Sequence, residues 1–260
     1  MALSSDTPPA PAAEAPTRGT TVDAAEVARF AALAAEWWDP DGRFRPLHRF
    51  NPERVRFIRD HAATRFGRDA AGATPLAGLR VLDIGTGGGL VAEPMARLGA
   101  SVTGIDPAEQ NIGTARTHAG QMGLTIDYQA TTAEDLAATG AQFDIVLAME
   151  VVEHVADTHA FFDAIGALTA PGGMVVAATL NRTLRAYALA IVGAEYVMRW
   201  LPVGTHDWHK FLTPIELAAL MAGGGLIARE TMGLVYNPIS GRWRLGRDTG
   251  VNYLIYAEKD

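Results

Sequence analysis

Residues 79–90 read Leu79-Arg80-Val81-Leu82-Asp83-Ile84-Gly85-Thr86-Gly87-Gly88-Gly89-Leu90. A short apolar run carrying one carboxylate, Asp83, breaks into glycine, and residues 91–98 then take helical spacing. Buried parallel strands read as continuous apolar runs, and glycines let the backbone turn tightly before a helix begins. A strand–glycine loop–helix unit holds a nucleotide-like cofactor at the carboxyl edge of a sheet. The spacing narrows the choice of cofactor. A dinucleotide loop wants G-x-G-x-x-G with a pyrophosphate on the helix N-terminus, but the last position of that fingerprint is Leu90. Asp83 stands at the mouth of the loop, where a negative charge repels a pyrophosphate and attracts an ammonium or sulfonium group. The next apolar run ends in Asp106, about twenty residues after Gly85, where an acid can accept both ribose hydroxyls. Paired acids on either side of the glycines suit S-adenosylmethionine better than a nicotinamide dinucleotide.

Outward from this stretch, strand and helix patterns alternate. Strands are predicted near 79–84, 101–105, 125–130, 143–149 and 173–180, and helices near 89–98, 107–122, 157–169 and 213–222. Such alternation specifies a parallel sheet covered on both faces. Two further strands, near 226–236 and 250–258, flank a turn region and are expected to be antiparallel. Toward the N-terminus, residues 23–38 read as an amphipathic helix, with Asp23 as cap, Glu26 closing a capping box, and Val27, Phe30, Leu33 and Trp37 on one face. A loop over 43–51 then leads to a second helix starting near Pro52, with Arg54 in its first turn, and residues 67–77 read as a polar linker. Residues 181–212 interrupt the rhythm. Their apolar and aromatic side chains within 184–201, with arginines near the ends, suit a lid over a pocket or a helix lying on phospholipid.

Composition sets the outer limits. A 260-residue chain, 48% hydrophobic, can bury one large core, so residues 23–260 are expected to form a single domain. A formal net charge of -7 argues against nucleic acid as a partner. The chain has no cysteine, which removes disulfides, thiolate metal sites and cysteine nucleophiles. Residues 1–22 are rich in Ala, Pro, Ser and Thr and read as a flexible tail rather than a secretory signal. No stretch reads as a transmembrane helix, so a soluble, intracellular protein is expected.

Three acid–base groups, Glu150, Glu153 and His154, follow the fourth predicted strand. Spacings of three and four place them on one face if the segment is helical. Two carboxylates and an imidazole can hold a divalent cation with positions open to substrate oxygens. The alternative is two solvated glutamates and a histidine bonded to the backbone. His206 and His209 read as cap or surface residues.

With these residues in hand, the chain resembles the ubiquinone-biosynthesis O-methyltransferases, within the class I S-adenosylmethionine-dependent enzymes. The likeness rests on Phe30 with Trp37-Trp38-Asp39, Pro46-Leu47-His48-Arg49, Asn51-Pro52 with Arg54, the Val81–Gly89 stretch, and Met149-Glu150 with Glu153-His154-Val155. Thr179-Leu180-Asn181-Arg182, Val192-Gly193-Ala194-Glu195-Tyr196 and Gly204-Thr205-His206-Asp207 make it specific to the family. Thr86 stands where cysteine is common, a change expected to matter little if the backbone does the binding. The resemblance implies a Rossmann-like, seven-stranded, mostly parallel sheet with helices on both faces, an N-terminal helical extension and an insertion after the fifth strand. It implies that Arg54 pairs with the methionyl carboxylate, Gly85 and Gly87 admit the cofactor, Asp106 holds the ribose, Met149 lines the adenosine pocket and Glu134 reaches the adenine. It further implies magnesium on Glu150, Glu153 and His154, or His154 as general base without it. The implied substrates are polyprenylated catechol-type rings at two O-methylation steps. The implied setting is the cytoplasmic face of the membrane, held peripherally, with other ubiquinone-biosynthesis proteins as partners. A nicotinamide-dependent oxidoreductase and a non-catalytic lipid-binding accessory protein are the competing readings.

Overall fold

The computed structural model describes residues 21–189, 207–237 and 240–260. Helix α1 (Ala24–Ala31) and a 3-10 turn at Ala34–Glu36 lead into the long helix α2 (Arg45–Arg65). The central unit follows as β1 (Arg80–Ile84), α3 (Ala92–Arg97), β2 (Ser101–Asp106), α4 (Glu109–Gln121), β3 (Asp127–Ala130), α5 (Ala133–Ala138) and β4 (Phe143–Met149). After a 3-10 turn at Val152–His154 come α6 (Thr158–Leu168), β5 (Thr169–Leu180), the single turn α7 (Leu184–Ala186), α8 (Pro214–Gly223), β6 (Ile227–Asn237), β7 (Arg242–Gly246) and β8 (Asn252–Glu258). The strands form one sheet in the order β3-β2-β1-β4-β5-β8-β6-β7. The first five are parallel, whereas β8 runs antiparallel to both β5 and β6, and β7 antiparallel to β6. Strand order reverses between β1 and β4, which opens a crevice at their carboxyl ends.

Side-chain alternation divides the core between the two faces. Val81, Ile145, Leu147 and Val176 pack with Phe57 and Ile58 of α2, Met95 of α3 and Ile112 of α4. Leu82, Ile84, Val146 and Ala177 pack with Phe161 and Phe162 of α6 and Leu217 of α8. The antiparallel partners expected near 226–236 and 250–258 are β6 and β8, joined directly in the sheet. The strand count differs from the expected seven because Arg242-Trp243-Arg244-Leu245-Gly246 adds an eighth at the edge. Its Trp243 and Leu245 turn inward against the α2 face while Arg242 and Arg244 are exposed.

Two further expectations are corrected. The second helix begins at Arg45, with Pro46 in its first turn and Pro52 inside it, so Arg54 lies beyond the helix start. Proline suits a first helical turn, where its missing N–H has no partner to lose, and the earlier proline supplies that signal here. At α1, Asp23 Oδ1 accepts from the Ala25 and Glu26 N–H groups, but the Glu26 side chain does not close a box. It turns instead to Arg29 and His154.

The chain before α2 lies over the crevice. Val22 bridges antiparallel to Val155, and the Ala156 N–H donates to Thr21 O at 2.7 Å. Lys210 Nζ reaches Asp23 Oδ2 at 3.3 Å from the far side of the insertion. Helix α1 buries no residue fully, and these bonds hold it together with Glu26 on His154 and Phe30 packed against the Leu33–Trp37–Phe44 cluster.

Candidate active site

The glycine loop is shaped by positive φ and by close neighbours. Gly85 and Gly87 adopt φ of 66° and 53°, which L side chains rarely take. A Cβ added at Gly85 would come within 2.4 Å of Val151 Cγ2, and one at Gly87 within 2.4 Å of the Trp37 ring. Trp37 therefore lies flat against the loop, stacked at 3.9 Å on Phe44 from the other side. Its neighbour Trp38 donates from Nε1 to Gly88 O at 2.8 Å and stacks on His118 at 3.5 Å.

Both acids of the sequence reading are buried at this loop. Asp83 shares the face of Val81 by strand alternation, and its Oδ2 accepts from Thr86 Oγ1 at 2.7 Å. Burial pushes the Asp83 carboxyl up to about 7, against the Thr86 hydroxyl and the Ala92 N–H. The Thr86 side chain thus supports the buried Asp83 carboxyl, a role that the sequence alone does not reveal. Asp106, at the end of β2, accepts from Gly87 N at 3.1 Å on Oδ2, and from Ala108 N at 2.9 Å and Asn111 Nδ2 at 3.1 Å on Oδ1. Burial raises its pKa as well, while these donors hold it down.

Across the crevice, Arg54 projects from α2 and is buried. Its Nη2 bonds Glu150 Oε1 and its guanidinium lies 4.2 Å from the Phe50 ring centroid. Burial acts against the Arg54 charge, and Glu150, then Glu153 and Asp83, support it. A guanidinium among three carboxylates is the arrangement that lets a buried cation persist. Glu150 takes φ of 57°, the one positive value among non-glycine residues described, and its N–H donates to Ala178 O at 2.9 Å. Strain of that kind collects at functional sites. Glu153 is buried, with Oε2 accepting from Thr179 Oγ1 at 2.8 Å and Oε1 without a hydrogen-bond partner. Burial, then the charge of Glu150, raises its carboxyl well above the usual range. His154 places Nδ1 2.9 Å from Glu26 Oε2 and packs edge-on to Phe30.

Glu150, Glu153 and His154 do not form the cation site that their spacing suggested. A tight 3-10 turn follows Glu150 instead of an α-helix, and the three side chains engage Arg54, Thr179 and Glu26 respectively. Among the described residues no group of three or more His, Asp or Glu is placed to hold a metal ion.

One cavity nonetheless gathers Arg54, Asp83, Gly85, Asp106, Glu134, Met149, Glu150, Glu153 and His154. Gly87 is the exception, lying under Trp37 with its N–H spent on Asp106. The lining fits a ligand with a cationic centre and a ribose. Three buried acids, Asp83, Asp106 and Glu153, line the cavity, and Arg54 Nε and Glu134 Oε1 are a buried donor and a buried acceptor without a hydrogen-bond partner. Sequence reasoning missed Asn111, and the roles of Thr179 and Glu26, which act through bonds to residues on other elements. The spacing puts Trp37 on one face of a continuous helix over 23–38, whereas α1 ends at Ala31 and Trp37 caps a 3-10 turn against the glycines, a contact that no spacing marks. His206 and most of 184–201 lie outside the described residues.

A methyltransferase domain family matches residues 48–230. The ubiquinone biosynthesis O-methyltransferase of Chelativorans sp. (strain BNC1) is 57% identical over 242 residues, covering 93% of this chain and 96% of that protein. The protein of the same description from Methylobacterium sp. (strain 4-46) is 57% identical over 245 residues, covering 94% and 98%. Among solved structures, the magnesium protoporphyrin IX methyltransferase of Synechocystis PCC 6803 with bound SAH superposes with a TM-score of 0.61 at 17% identity, over 90% of this chain and 100% of that one. That likeness establishes the fold alone. Neither the oxidoreductase nor the accessory-protein reading is favoured by any of these matches. Identity above one half over nine-tenths of the chain, on a loop flanked by two buried acids, shows that this chain belongs to the ubiquinone biosynthesis O-methyltransferases, S-adenosylmethionine-dependent enzymes of the class I methyltransferase fold.

Proposed function

We propose that the chain methylates phenolic hydroxyls of polyprenylated catechol-type rings at both O-methylation steps of ubiquinone biosynthesis. The observation that carries this reading is the one cavity that Asp83, Asp106, Arg54, Glu153 and His154 line together. Bound S-adenosylmethionine supplies a methyl carbon on a sulfonium, whose C–S bond breaks as the phenolate oxygen bonds that carbon, leaving a neutral thioether. The protein's own work is to orient and to move a proton. Asp106 receives the ribose hydroxyls, Arg54 the methionyl carboxylate and Glu134 the adenine amino group, with Met149 beside the adenosine. Positioning of this kind supplies much of the rate of a two-reactant displacement.

A phenol with a pKa near 10 is a poor nucleophile until its proton is taken. Burial acts to raise Glu26, and the hydrogen bond from His154 with the neighbouring positive charges holds it below its ordinary range. An ionised Glu26 accepts only, so His154 donates from Nδ1, which orients the imidazole that lines the cavity as the group placed to take the phenolic proton. A magnesium ion would require Glu150, Glu153 and His154 to leave their present partners, and no step here is routed through one. Exposed Leu184, Tyr187 and Leu189 at the start of the insertion support contact between this region and lipid, from which a prenyl tail enters. On this reading the enzyme works peripherally on the cytoplasmic face of the membrane, near other ubiquinone-biosynthesis proteins.

The test is turnover with labelled S-adenosylmethionine on short-chain forms of 2-polyprenyl-6-hydroxyphenol and 3-demethylubiquinol. Both rings are expected to gain one methyl per thioether released, and His154→Gln to lower kcat by about 10²-fold with cofactor affinity kept. Absence of methylation of either ring would contradict the reading.

A further inference from the structure

Asp106 is held by more than its own loop. Its Oδ1 accepts from Asn111 Nδ2 at 3.1 Å, and Asn111 Oδ1 in turn accepts from Trp37 Nε1 at 3.0 Å. All three side chains are buried, and Trp37 comes from the N-terminal segment, 74 positions before Asn111. An indole N–H can only donate, and an ionised carboxylate can only accept. An amide placed between them has one satisfactory orientation, oxygen toward the indole and NH₂ toward the carboxylate. The same indole lies against Gly87, whose N–H holds the other oxygen of Asp106. Trp37 therefore touches both supports of the acid at once, one by hydrogen bond and one by packing.

We propose that Trp37 is a positioning residue for cofactor binding, acting through Asn111 to fix both oxygens of Asp106 toward the ribose. The inference rests on the assignment of Asp106 to the ribose. Without the indole N–H the Asn111 amide loses the partner that orders it, and its rotated form turns a carbonyl oxygen against the Asp106 carboxylate. In water the loss is small; in a buried network each donor carries more weight. The N-terminal segment is thereby part of the cofactor site and not only a cover, since its removal takes away a donor on which Asp106 depends.

The test is calorimetric titration of S-adenosylmethionine into the full-length protein and into Trp37→Phe, Asp106→Asn and the double variant, with steady-state kinetics alongside. Phenylalanine keeps a ring beside Phe44 and deletes the donor together with the benzo carbons against Gly87, and Asn111→Ala, which leaves the indole in place, separates the two losses. Trp37→Phe is expected to raise Kd and KM for S-adenosylmethionine about fivefold while kcat at saturating cofactor stays within about twofold. In the Asp106→Asn background the same substitution should add nothing to Kd, because its effect travels through the acid. Asn111→Ala should reproduce the Kd of Trp37→Phe. Equal effects of Trp37→Phe with and without Asp106 would overturn the relay, as would wild-type affinity in Trp37→Phe alone. Wild-type affinity in Asp106→Asn would instead overturn the ribose assignment beneath it.

Discussion

Asp83 shows how a single side chain is tuned by its surroundings. An aspartate ordinarily titrates near 3.9, yet burial brings this one to about 7 in spite of the Thr86 hydroxyl beside it. Between those two values the folded chain holds a proton that the unfolded chain has released, so the folded state loses stability as pH rises through that window and no further above it. Asp83→Asn removes this loss. The stability of the variant relative to wild type should therefore improve between pH 4 and pH 7, by up to ~4 kcal/mol for a shift of about three units. Urea unfolding of the cofactor-free proteins across that range reads the effect, and parallel curves would contradict it. A cationic ligand reverses the preference, because a positive charge in the cavity favours the ionised acid. Asp83 and Asp106 were legible because each ends an apolar run at a fixed distance from glycine. Asn111, Thr179 and Glu26 were not, since their partners lie 5, 26 and 128 positions away on other elements and no local pattern marks them.

Elements were read as well as their local signals allowed. The central strands carry long apolar runs, and α6 and α8 carry caps, at Asp157 and at the Thr213–Glu216 capping box. Helix α5 is six residues long and β7 five, too short to show a period, and the arginines of β7 hid its inward face. Helix α2 starts at Arg45 rather than near Pro52 because Pro46 occupies its first turn and Pro52 its interior, and both prolines carry the same local signal. The turn after β1 allows a controlled comparison. Gly78 and Gly85 share φ near the left-handed region, 78° and 66°, but a Cβ at Gly78 meets nothing within 4 Å whereas one at Gly85 meets Val151 at 2.4 Å. Gly78→Ala should cost only the backbone strain, about 1 kcal/mol. Gly85→Ala should cost about 1–3 kcal/mol more, from overpacking, and weaken S-adenosylmethionine binding at least tenfold. Unfolding curves and calorimetry check both halves, and wild-type affinity in Gly85→Ala would contradict the role given to this loop.

At the scale of the whole molecule, function follows from where the sheet order reverses. Strands β1 and β4 deliver Asp83 and Met149 to one edge, β2 delivers Asp106, and α2 brings Arg54 across the crevice. The N-terminal segment closes the cavity through Val22, which reads in sequence as the end of a flexible tail, and through Glu26 and Trp37, which read only as parts of an amphipathic helix. No helix among the described residues is long and apolar enough to cross a membrane. The acidic pair and the cavity between them remain the centre of the mechanism, and a crystal structure of the chain with S-adenosylhomocysteine tests them directly. The expected electron density lies over Gly85 at the carboxyl ends of β1 and β2, with the ribose on Asp106 and the amino-acid end toward Arg54 and Asp83. Density for the ligand outside that crevice, or a ribose facing away from Asp106, would contradict it.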